Sequence, residues 1–174
     1  MKTCFGFMFW GVLLVALDFK FKDFDFVPDA VGGLGFALVA IGAGGLAPMS
    51  GNLVAATALG WLLVVICIFG SYFTGEAERL YDVLIAVLSG GMMWTTLAGV
   101  GDISRGRNRP QLAERAAPLR TAYVSLVVVS LVLGLTAVGS EGVMRLLTII
   151  VVVAALIVMG LILHLLYRAW REFV

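Results

Sequence analysis

The sequence predicts an all-α, polytopic membrane bundle of about six helices in a single domain, with no soluble domain attached. Three observations lead to this fold class. Of 174 residues, 61% are hydrophobic and only 13% are charged, whereas a soluble domain carries about 25% charged residues. Mean hydropathy is +1.07, and surface-to-volume scaling gives a soluble domain of this size too little interior to hide so much apolar surface. The apolar residues also come in long runs parted by short polar connections. About 20 mainly apolar residues, at 1.5 Å rise each, cross about 30 Å of hydrocarbon. Segments 28–47, 53–73, 83–101, 121–138 and 146–166 meet that demand or nearly so, and a shorter one covers 3–19.

The first segment has two readings. Lys2 followed by "CFGFMFWGVLLVAL" has the positive start and short apolar stretch of a signal peptide. However, "VALDF" offers no small-x-small cleavage site, and Phe7, Phe9 and Trp10 suit a retained helix. The expectation is a retained helix. The second segment opens at Pro28, tolerated in a first turn because its missing N–H would have no partner there. Gly33, Ala37, Ala40 and Gly44 follow a 4-3-4 spacing on one narrow face. Helices associate in lipid through such small-residue packing, so this slim helix is expected at the centre of the bundle.

In the fourth segment Gly90 and Gly91 fall near the middle, flanked by Ser89, Thr95 and Thr96. They mark either a helix break of the kind that lines transporter substrate sites, or ordinary packing glycines beside hydroxyls bonded to their own helix. The connection 102–120 is the longest. Pro110 and Pro118 bracket "QLAERAA", which is expected to form one or two turns of interfacial helix. Arg105, Arg107 and Arg109 make it a basic, lipid-facing loop suited to anionic head groups. The sixth segment is β-branched and greasy and is expected to face lipid. His164 lies near its basic end, and Tyr167, Arg168, Trp170 and Arg171 form an interface belt.

The positive-inside rule orients the chain. Eight Lys or Arg fall on the side of the N-terminus and four on the other, which places both termini in the cytoplasm. Net charge is +1, with no long basic stripe interleaved with aromatics, so a nucleic-acid partner is not expected. Cys4 and Cys67 sit far apart inside apolar runs and are expected to be buried thiols rather than a disulfide or metal ligands.

The most polar stretch of the first hundred residues is "DFKFKDFDFVPDAVGG". Asp25 is placed to cap the second helix and Asp29 to face its dipole. Asp18, Asp25 and Asp29 therefore form either a structural corner or a site for a hard cation such as Ca²⁺ or Mg²⁺, or another polar ligand. A catalytic role ranks lowest, because no nucleophile–base pair or zinc motif accompanies them. No catalytic residue, cofactor or resident metal is expected.

Asp18, Phe19, Phe24, Asp25, Pro28, Asp29 and Gly32, within residues 8–45, resemble the N-terminal "DF…FD…PD…G" hairpin of small bacterial multi-pass membrane proteins of uncharacterised function. Gly33 stands where that pattern carries a bulky aromatic. The resemblance implies a bacterial cytoplasmic-membrane location and brings no activity with it. The leading expectation is a non-enzymatic subunit working through helix packing, as a homo-oligomer or with a membrane-protein partner in the lipid bilayer. A transporter or channel module for a small cation or polar solute comes second, and a membrane-embedded enzyme third.

Overall fold

A computed structural model describes residues 1–21, 30–70, 76–135 and 141–173. Six α-helices account for nearly all of them: α1 (Lys2–Phe21), α2 (Ala30–Leu46), α3 (Gly51–Phe69), α4 (Glu76–Gly106), α5 (Pro110–Leu135) and α6 (Glu141–Glu172), with a short 3₁₀ turn at Ala47–Met49. The fold is an all-α helical bundle. The helical stretches Val31–Met49, Gly51–Phe69, Leu80–Gly106, Pro110–Leu133 and Leu146–Glu172 are long and apolar enough to cross a membrane, while the apolar part of α1, Lys2–Leu17, is shorter.

Each helix runs antiparallel to its neighbour in sequence. Backbone–backbone approach between α1 and α2 is very close: a Cβ added at Gly11 would lie 2.6 Å from the Gly35 carbonyl oxygen, and one at Gly42 would lie 2.5 Å from that of Cys4. No side chain fits there, and such glycine contacts are how helices gain dispersion energy in lipid. On the other side of α2, Ala40 lies against Gly60 of α3, Gly33 faces Cys67 and Gly44 faces Thr57. Ala37 of the same predicted stripe is half-buried. The slim helix is thus sandwiched between α1 and α3, and its small residues are used inside the chain.

The structure decides between the two readings of Gly90–Gly91 in α4 and corrects the expectation for 102–120. Helix α4 passes through Gly90 and Gly91 without a break. With no water to receive freed backbone groups, the helix is the cheapest arrangement. The two glycines instead admit Val127 of α5 and Leu59 of α3. The Ser89 hydroxyl donates to the Ala86 carbonyl and that of Thr95 to Gly91 and Met92. Nor is 102–120 a long loop. Helix α4 runs to Gly106, α5 begins at Pro110 and continues through Pro118, and only 107–109 connect them. The turn is a Schellman closure. The Arg109 amide donates to Ser104 O at 2.8 Å and the Asn108 amide to Arg105 O at 3.2 Å. Asn108 takes φ 55°, a left-handed conformation that asparagine tolerates.

The last helix returns to the first. The Phe5 and Phe173 rings stack at 5.2 Å, Phe9 lies 6.0 Å from the Trp170 ring, and a Cβ on Gly6 would touch that indole at 3.6 Å. Both chain ends, the 47–50 turn and the 107–109 turn share one end of the bundle, called here the basic end. Phe5, Leu46, Val100, Ile103, Leu112, Ile162, Leu166 and Phe173 fill its interior and are nearly inaccessible. At 31 and 32 residues, α4 and α6 measure about 46–48 Å against about 30 Å of hydrocarbon. Their surplus turns carry polar residues past the apolar layer.

Candidate functional site at the basic end

The polar residues at this end are organised around Asp102. Pro48 lies in the 3₁₀ turn, and Ser50 beyond it is extended (φ −159°, ψ 127°), which sets Ser50 as the N-cap of α3. Its Oγ accepts from the Asn52 amide at 3.2 Å and donates to Asp102 Oδ2 at 2.7 Å. Asn52 Nδ2 donates to the same oxygen at 2.8 Å. Arg105 Nη2 meets Oδ1 at 3.0 Å. A carboxylate at the start of α3 is also favoured by the partial positive charge of unpaired amides there. The result is a polar clasp joining the start of α3 to the end of α4. Arg105 is mostly exposed, so its ion pair adds little; the two neutral donors fix the carboxylate.

On α5, the Arg120 guanidinium lies 4.0 Å from the centre of the Trp94 ring, a cation–π contact suited to a partly desolvated arginine. Its Nε is buried and makes no hydrogen bond among the described residues. A cavity of about 50 Å³ lined by Leu97, Ala98, Gly101, Arg105, Ala116 and Arg120 adjoins it. The small residues let α4 and α5 approach, and the two guanidinium groups make the cavity cationic.

The three arginines of the predicted basic loop divide among different tasks. Arg105 turns to Asp102, Arg107 Nη2 donates to Met1 Sδ at 3.0 Å, and Arg109 is exposed at the Schellman turn. Arg168 pairs with Glu172 at 2.7 Å, and His164 is exposed beside it on α6. Trp170 of the predicted belt packs inward on α1. The acidic corner of Asp18, Asp25 and Asp29 lies outside the side chains the structure describes. Among the described residues, no three His, Cys, Asp or Glu side chains gather around a common metal position.

Sequence reasoning missed the clasp. Ser50 and Asn52 lie about fifty positions from Asp102, and each has the character of an ordinary turn residue. The available signal was the "PMSGN" segment, a helix start with a capping serine. Comparison with known protein families, curated proteins and solved structures finds no match to this chain.

Proposed function

We propose that the protein is a non-enzymatic subunit of a bacterial cytoplasmic membrane, with both termini inside, that works by lateral assembly with a second copy or a membrane-protein partner. The observation that carries this reading is the outward face of α6. Leu146, Ile150, Val153, Ile157, Gly160, His164, Tyr167 and Arg171 are all exposed and follow a 4-3-4-3 spacing, the repeat by which one helix seats in the groove of another. A Cβ at Gly160 would meet nothing within 4 Å, so a second backbone has room to approach at that point. Only 11% of the most apolar 18-residue window of α6 is buried by the chain itself, and 6% of that of α5, against 44% for the windows of α2 and α4. The small residues of α2 are already engaged by α1 and α3, so α6 rather than α2 is the surface available for assembly.

Single cysteines at 153, 157 and 160, in a Cys4→Ala, Cys67→Ala background, are expected to cross-link in native membranes to a second copy or one defined partner. Cysteines at the buried positions 162 and 166 are expected to give none. A uniformly monomeric product at all positions counts against the assembly.

A further inference from the structure

Between α5 and α6 at the basic end lies a groove of about 270 Å³ that shares only His164 with the assembly face of α6. Pro118, Leu119, Leu161 and Leu165 form its floor, and Arg115, His164 and Arg168 border it mainly through their apolar atoms. Pro118 has no amide hydrogen to give to the carbonyl four residues earlier and presents its ring to the groove. We propose that this groove is a binding site for one anionic diacyl phospholipid, with an acyl chain along the leucine floor and the phosphate at Arg115 and Arg168.

Shape favours an acyl chain over a second helix as the occupant, since a helix is rigid and about 10–12 Å across. An acyl chain is narrower and matches the apolar floor, where ordered water would lack polar partners. Charge selects the head group. Arg168 is held by Glu172 through Nε at 3.0 Å and Nη2 at 2.7 Å, which positions its guanidinium while offsetting its charge. Arg115 is exposed and forms no ion pair among the described residues, so it supplies the net positive charge. The one acid beside it in sequence, Glu114, points about 100° away around the helix. Depth agrees as well, since the groove lies where α6 ends its apolar course at Arg168–Glu172, the level of the phosphates. Basic pockets between spanning helices at that level are recognised sites for anionic lipid.

The test is native mass spectrometry of the full chain in detergent, titrated with phosphatidylglycerol or with phosphatidylcholine of the same acyl chains. The monomer peak is expected to retain phosphatidylglycerol several-fold better. Arg115→Gln, at an exposed position, should cut that retention by about five-fold while leaving phosphatidylcholine unchanged. Leu161→Trp, which fills the floor, should lower retention of both lipids, with helical circular dichroism confirming that each variant folds. Equal retention of the two lipids by the parent protein overturns the proposal. So does a loss that follows Arg107→Gln and Arg109→Gln but not Arg115→Gln. Adducts are scored on the monomer, so the result stands independently of assembly through α6.

Discussion

Asp102 carries a charge at the edge of the apolar layer because three donors converge on it, from Ser50, Asn52 and Arg105. Removing the acceptor strands the two neutral donors in a half-buried place, so Asp102→Ala is expected to lower stability by about 1–3 kcal/mol. Asp102→Asn, which keeps one acceptor oxygen, should lose less. Thermal unfolding in detergent monitored by circular dichroism distinguishes them, and equal midpoints for parent and Asp102→Ala would remove the clasp from the stabilising contacts. A second residue-scale prediction contrasts two glycines. Gly42→Ala drives a methyl into the Cys4 carbonyl and must push α1 from α2, a change expected to destabilise by about 1–3 kcal/mol. Gly160→Ala meets nothing within 4 Å in the single chain. It should leave the monomer's midpoint unchanged or raise it while weakening the cross-linking at α6.

At the scale of the element, α4 and α5 show where local signals mislead. A glycine pair in a soluble helix weakens it by exposing backbone to water, so Gly90–Gly91 carries the sequence signature of a break. In α4 the Gly90 and Gly91 positions face Val127 and Leu59 at 3.6 and 3.5 Å, ordinary contact distances for a methyl. Gly90→Ala and Gly91→Ala are therefore expected to be neutral or to raise the unfolding midpoint, since alanine is favoured by up to about 1 kcal/mol within a helix. A clear loss from either change would indicate that the pair does more than pack. Pro118 misleads in the same way. It forfeits the one hydrogen bond that residue 118 would donate to the Glu114 carbonyl, and Glu114 is exposed, so water can substitute and the helix continues. A proline near an aqueous end carries a smaller penalty than one at mid-membrane, and sequence alone does not give that depth.

For the whole molecule, the fold class is legible because the length of an apolar run and the charge count are global quantities that local detail cannot overturn. The centrality of α2 is legible too: a helix with so many glycines can sit closely between two others, and Gly11–Gly35 and Ala40–Gly60 do so. The clasp and the groove are not legible, since each depends on pairs such as Ser50–Asp102 and Arg115–Arg168 that come together only when antiparallel helices fix their register. The arginines suffer likewise: Arg105 and Arg107 are equal members of a basic run in the sequence, yet one serves Asp102 and the other Met1. The eight-to-four distribution of Lys and Arg predicts both termini inside. Cysteines placed at 107 and at 23, in the background lacking Cys4 and Cys67, should react with an impermeant thiol reagent from the cytoplasmic and the outer side respectively. The opposite pattern would invert the topology.

The stacking of Phe5 on Phe173 has a consequence for synthesis. During translation α1 leaves the ribosome well before α6, and the ring that covers its aromatic face is encoded 168 positions later. At about 5–20 residues per second, roughly ten to thirty seconds pass before that partner leaves the ribosome. Over that interval Phe5, Phe9 and Gly6 face lipid or the insertion machinery. A nascent chain stalled before Tyr167 would thus carry an α1 whose aromatic side lacks the α6 rings that cover it.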